Sequence, residues 1–170
     1  MKLLLTINEA DVDPDFTTTP DRSGYKKRDA ARAVLFGPKG EVYLLHVTKY
    51  GYHKLPGGGI DPGEDVKEAL RREIVEEVGC DSEVGGELGK VVEYRHYDDY
   101  GLEHTSYAYT ATQVGELGPQ QLEQGELEDG HDRVIAKDLD DAIRILEQDA
   151  PSIIEGRSIQ KRDLAILKAV

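Results

Sequence analysis

The clearest periodicity along the chain lies between residues 65 and 78. Apolar side chains recur at Val66, Leu70, Ile74 and Val78, with Ala69 at the edge of the stripe, the spacing of one helix face. The segment holds no Gly or Pro and is rich in Glu, Arg, Leu and Ala, which favour a helix. Pro62-Gly63 marks the turn before it, and Gly79 the stop after it. Other apolar runs are short and read as strands. Residues 30–36 and Val42–Val47 flank the turn Gly37-Pro38-Lys39-Gly40 and predict a hairpin. Residues 90–97 and 105–114 predict two further strands, the second with Tyr107 and Tyr109 alternating; 85–89 and 98–103 predict loops. Residues 115–130, glycine-rich and acidic, predict a mobile segment. A short strand at 134–136 and helices at 138–147 and 158–169 follow. Residues 1–29 read as an N-terminal strand and an irregular polar arm around Thr17-Thr18-Thr19-Pro20. Strands with one central helix and two late ones predict an α/β layered fold (α+β in some schemes), as one domain over residues 1–170.

Within the helical segment the charges fall unevenly. At about 100° per residue, Glu68, Arg71 and Arg72 lie on or beyond the flank of the apolar stripe. Glu77 falls between Val66 and Leu70, Glu73 lies beside Val66, and Glu76 stands at the border. A surface helix normally turns its carboxylates away from the buried face, and buried carboxylates are costly without a partner. Neighbours at i, i+3 and i+4 lie about 5–6 Å apart at Cβ. So placed, the three carboxylates suit a hard divalent cation, Mg²⁺, with Mn²⁺ as a substitute. Arg72 stands at i, i+4 from Glu76, and Glu64 lies near the helix N-terminus, where negative charge is favoured; both read as groups that orient the carboxylates. Gly57-Gly58-Gly59 just before permits close backbone approach.

Residues 58–80 read GGIDPGEDVKEALRREIVEEVGC and fit the pattern G-x5-E-x7-R-E-U-x-E-E-x-G-U, with Cys80 at the last apolar position. This resembles the Nudix box, the signature of hydrolases of nucleoside diphosphate derivatives. The resemblance implies an α/β/α sandwich around a mixed sheet and hydrolysis of a diphosphate linkage. It implies that Glu73, Glu76 and Glu77 hold the metal with the Gly58 carbonyl, that Glu73 is a ligand or the general base, and that Arg72 and Glu64 complete the catalytic set. A later loop often supplies one more acid, and Glu126 and Glu128, ahead of Glu123, are the candidates. Arg32, on the first core strand, and Lys54, just before the glycines, are candidate substrate contacts. Tyr97 follows the box at a distance associated with diadenosine polyphosphate hydrolases. A (deoxy)nucleoside triphosphate, oxidised forms included, is the leading substrate. Dinucleoside polyphosphates, nucleotide sugars and ADP-ribose are alternatives, and a non-catalytic nucleotide-sensing or binding module is the alternative of another class.

Composition narrows the rest. Hydrophobic residues make up 38% of 170, enough for a core. The net charge of −13 argues against nucleic acid or an anionic membrane as partner. No apolar run is long enough to span a bilayer, and Cys80, the only cysteine, excludes an intrachain disulfide. A cytoplasmic location is the expectation, and a homodimer is compatible with the sequence. His46, His96, His104 and His131 show no zinc-site spacing and receive no role.

Overall fold

The computed structural model describes residues 1–18, 20–97 and 99–170; Thr19, in the polar arm, and Asp98, in the expected loop 98–103, lie outside the described residues. Among the described residues seven strands and four α-helices follow in the order β1 (Leu3–Ile7), β2 (Lys26–Phe36), β3 (Val42–Val47), β4 (Tyr52–Lys54), α1 (Val66–Glu77), β5 (Asp81–His96), β6 (Gly101–Val114), α2 (Gln124–Asp129), β7 (His131–Ala136), α3 (Leu139–Gln148) and α4 (Ile154–Leu167). The mixed sheet runs β1-β5-β6-β2-β3-β4, with β7 on the free edge of β3. β1 lies parallel to β5 and β2 parallel to β6, while β5 and β6 are antiparallel.

Alternation along the strands fills both faces. On one face Ala31, Ala33 and Leu35 of β2 pack with Leu70, Ile74 and Val78 of the α1 segment. On the other, Val34 and Val91 pack with Ala142, Leu146, Ile166 and Leu167 of α3 and α4. Each fully buried Leu or Ile contributes about 1.5–3 kcal/mol, and the result is an α/β/α sandwich. Cys80 is buried in the α1-side core.

The expected hairpin of β2 with β3 is nearly absent, because the two meet only at Phe36 and Val42. Away from that point the edge of β2 is taken by the glycine loop. Ala33 N–H donates to Pro56 O at 3.0 Å, Ala31 N–H to Gly58 O at 2.9 Å, and Ile60 N–H to Asp29 O at 3.1 Å. β3 pairs instead with β7 on one edge and β4 on the other. The sheet therefore opens between β2 and β3, and the loop before α1 fills the opening.

Three other expectations change. The predicted loop at 85–89 lies within β5, where register shifts near Glu87 and Gly89 absorb the glycines. β6 begins at Gly101, inside the loop predicted for 98–103. The segment predicted mobile contains α2 and is fastened to the end of α1. Gln121 N–H donates to Glu76 O at 2.7 Å, Gln120 Nε2 to Glu77 O at 2.7 Å, and Arg133 Nη1 to Gly118 O at 2.9 Å and to Val78 O. These donors satisfy carbonyls that a helix C-terminus otherwise leaves unpaired.

Candidate active site

A cleft of about 360 Å³ opens where the sheet splits, bounded by α1, the glycine loop, β4, α2 and α4. Glu77 lies at its base, with a side chain only 1% exposed. Its carboxylate accepts the Gly57 N–H at 2.6 Å and the Lys54 ammonium at 2.8 Å. The inward placement on the helix wheel is thus observed, and here Lys54 supplies the countercharge. Gly57 has φ +127°, open to glycine at little steric cost, and any Cβ there would strike the Ala31 carbonyl. The Gly57 carbonyl accepts from Arg32 Nη1, so one peptide unit touches both walls of the cleft.

Arg72 grips the remaining box carboxylates. Nε and Nη2 donate to the two oxygens of Glu64, each at 3.1 Å; Nη1 donates to Glu73 at 2.8 Å and Glu76 at 3.4 Å; Nη2 also reaches Gly59 O at 3.1 Å. The Glu64 fork, then the Glu73 carboxylate, raise the already high guanidinium pKa. Burial, reinforced by the charge on Glu77, pushes the Glu73 carboxyl up despite Arg72. Gly58 lies against Glu73, with no room for a Cβ beside that carboxylate. Its carbonyl accepts the Ala31 N–H, which leaves one lone pair open.

Of the later acids, α2 separates two that the sequence ranked together. Glu126 is turned into the cleft, and its Oε2 also accepts the Glu123 N–H at 3.0 Å. Burial works to raise its carboxyl, but the His131 imidazole, that N–H and Lys54 outweigh it and bring it down to about 2. Glu128 is exposed and accepts from Gln124, outside the cleft, because one helical step of two residues carries it to the other side. Tyr97 is also outside: it stacks on Tyr100, ring centroids 4.9 Å apart, and lines a separate groove with Phe16 and Val12. Lys54 and Arg32 both line the cleft.

The residues that sequence reasoning missed form the far wall. Arg95 and Arg162 line the cleft and pair with the fully buried Glu93, at 2.8 Å and 3.6 Å. Burial alone would raise the Glu93 carboxyl, but Arg162 and Arg95 hold it far below the carboxylate range. Arg162 is also held by Asp163 at 2.6 Å and 3.0 Å, and Asp163 Oδ2 accepts the Leu55 N–H at 2.8 Å. Burial, with Arg162 nearby, pulls the Arg32 guanidinium down to about 10, so it remains a cation at neutral pH. His104 is buried beside this group with neither ring nitrogen hydrogen-bonded, and burial drives its pKa down to about 2. A sequence signal existed for Glu93 and Arg95: both share the inward strand face of Val91.

A divalent cation fits the donors of the opposite wall. Ligand atoms of Glu77, Glu126 and His131 lie within 4.8 Å of one another, and Nδ1 of His131 is buried without a hydrogen-bond partner. Carboxylates with one imidazole are donors a first-row divalent ion accepts.

A mixed seven-stranded sheet between helical layers, with an arginine-clamped acidic helix over a glycine loop, defines a Nudix-type α/β/α sandwich. The sequence profile of the NUDIX domain matches residues 26–153, and the chain belongs to that family. It is 34% identical over 100 residues to diphosphoinositol polyphosphate phosphohydrolase 2 of Rattus norvegicus, across 58% of this chain and 52% of that protein. It is 30% identical over 158 residues to diphosphoinositol polyphosphate phosphohydrolase 3-beta of Bos taurus, across 89% of this chain and 86% of that one. The chain thus spans about half the length of the first of these relatives. Its fold is similar to that of the MutT protein from Methanosarcina mazei Go1, with a TM-score of 0.55 and 20% identity over 81% of this chain and 93% of that chain. Among the described residues no helix is long and apolar enough to cross a membrane.

Proposed function

We propose that the chain hydrolyses a phosphoanhydride linkage in a small phosphorylated molecule, using divalent cations held by the acidic wall of the cleft. The observation that carries this reading is that carboxylates and guanidinium groups share one cleft. Glu73, Glu76, Glu77 and Glu126 line it together with Arg28, Arg32, Arg95 and Arg162. A polyphosphate held there meets cations for its phosphates and carboxylates that can hold a metal at its scissile bond. When bound, Mg²⁺ or Mn²⁺ neutralises phosphate charge and makes water more acidic. Arg72 fixes the orientation of Glu64, Glu73 and Glu76, and the Gly57 N–H fixes Glu77. Glu73, with its carboxyl pushed up by burial, is suited to take a proton from water. Lys54 lies at the cleft base, placed to move from Glu77 to a phosphate.

A nucleotide, a (deoxy)nucleoside triphosphate first, is the substrate we favour, with Tyr50 at the cleft rim offering a ring for a base. A diphosphoinositol polyphosphate is the second reading. Four lining arginines favour it, as does the activity named for the two relatives. Neither a nucleic acid nor a membrane surface is needed as partner, and the −13 charge supports that.

The test is a panel of nucleoside triphosphates, oxidised deoxynucleotides, dinucleoside polyphosphates, ADP-ribose, nucleotide sugars and diphosphoinositol polyphosphates, each with Mg²⁺ and with Mn²⁺. Glu77→Gln is the control and should lower turnover at least about a hundredfold with its far-ultraviolet circular dichroism unchanged. Turnover of none of these, or turnover indifferent to Glu77→Gln, would refute the proposal.

A further inference from the structure

His131 opens β7 opposite Val47 of β3, and its ring enters the cleft rather than solvent. Its side chain is 9% exposed. Nδ1 has no hydrogen-bond partner and stands 3.5 Å from Glu126 Oε1, beyond the usual N–H···O distance of about 2.7–3.2 Å. A buried polar atom left in this way is costly.

The neighbouring atoms show what would satisfy it. One ligand atom each from Glu77, Glu126 and His131 lies within 4.8 Å of the others. Ligands about 2.0–2.2 Å from a shared ion stand roughly 3 Å apart when adjacent and about 4 Å apart when opposite. His131 Nδ1 and Glu126 Oε1, 3.5 Å apart, fall between those two spacings, and all three atoms are close enough together for one ion to draw them in. A positive charge already sits there, since Lys54 Nζ is 2.8 Å from Glu77.

The geometry points to His131 as a direct ligand, together with Glu77 and Glu126, of a divalent cation, at a site that favours Mn²⁺, Co²⁺ or Zn²⁺ over Mg²⁺. The chemical reason is that hard Mg²⁺ selects oxygen donors, whereas an imidazole nitrogen raises affinity for the later first-row ions. The ion displaces Lys54 from Glu77, because the two positive charges compete for the same carboxylate. This inference rests on the metal-dependent reading above but assigns a ligand outside the box helix and a preference among metals.

Pulsed electron paramagnetic resonance of the full chain loaded with Mn²⁺ tests the ligand directly. The parent should show hyperfine coupling to a directly bound imidazole nitrogen, and His131→Gln should lose it. In equilibrium titrations His131→Gln should weaken Mn²⁺ binding about tenfold or more and Mg²⁺ binding by less, so that the preference for Mn²⁺ falls. Bound Mn²⁺ without nitrogen coupling in the parent would overturn the assignment even if the variant proved unstable. So would an unchanged Mn²⁺ to Mg²⁺ ratio in a folded variant. Either result leaves the hydrolase proposal standing. Failure of the parent to bind either ion would remove both.

Discussion

Gly58→Ala is a one-carbon probe of whether the position of Glu73 matters. The Gly58 backbone is not in the left-handed region, so alanine adds no backbone strain. The new methyl group, however, falls on the Glu73 carboxylate, about 1 Å inside ordinary van der Waals contact. Glu73 ends a flexible side chain and the adjacent backbone is tied to β2, so the carboxylate is the part that yields. A displacement of about 1 Å breaks its 2.8 Å contact with Arg72. Overpacking of this kind costs about 1–3 kcal/mol of stability, which a folded enzyme survives. A 1 Å misplacement at a reacting centre costs roughly a hundredfold in rate. Initial rates on the best substrate of the panel, with Mg²⁺, should therefore show kcat falling about a hundredfold while thermal unfolding shifts only slightly. A folded variant whose kcat stays within about threefold of the parent would refute the reasoning, since the carboxylate would then have no required position.

Two further outcomes concern the far wall. Asp163→Ala removes both hydrogen bonds to the buried Arg162 guanidinium, leaving it Glu93 at 3.6 Å, and leaves the Leu55 N–H without its acceptor; breaking a buried pair in this way costs about 3–5 kcal/mol, and a loss below about 1 kcal/mol in urea titration would contradict it. His104 binds its proton far less readily in the fold than its ordinary value of 6.5, because burial holds it at about 2. The unfolded chain therefore takes up a proton that the folded chain refuses, so this contribution to stability is full above about pH 6.5 and falls as pH falls, by up to about 1.4 kcal/mol per pH unit. His104→Gln removes that titration, and between pH 6.5 and 5 its unfolding free energy should fall less steeply than the parent's; parallel slopes would count against the assignment.

The parts of the site that were legible in the sequence are those that local periodicity fixes. Residues 65–78 carry their own helix signal, and the wheel that buries Leu70 and Ile74 turns Glu77 inward with them. Partners far apart in sequence were not legible. β2 and β3 looked like a hairpin because a turn joins them, yet the long parallel pairing of β2 with β6 frees the other edge of β2 for the glycine loop. No pattern near residue 31 announces that exchange. Glu93, Arg95, Arg162 and Asp163 belong to no motif; the strand face of Val91 hints at the first two, but the network that buries all four joins β5 to α4 across the fold. Glu126 and Glu128 differ only by α2, a short helix in a stretch whose glycines suggested no order. Tyr97 was placed by its distance from the box, and distance along the chain does not decide on which side of β5 a ring comes to rest.

The exchange at β2 also explains why acidic and cationic groups can share one cleft without collapsing onto each other. Glu77 and Arg32 are both almost fully buried, and a direct ion pair between them would neutralise both groups needed for metal and phosphate. The Gly57 peptide stands in between: its N–H donates to Glu77 and its carbonyl accepts from Arg32. Each charge is thereby hydrogen-bonded, which offsets part of its desolvation, while the two remain apart. This arrangement needs a main chain that can approach Ala31 closely at φ +127°, a conformation glycine adopts readily. The glycine before the box is in this sense an electrostatic spacer, and the opening of the sheet is what gives it a place to lie.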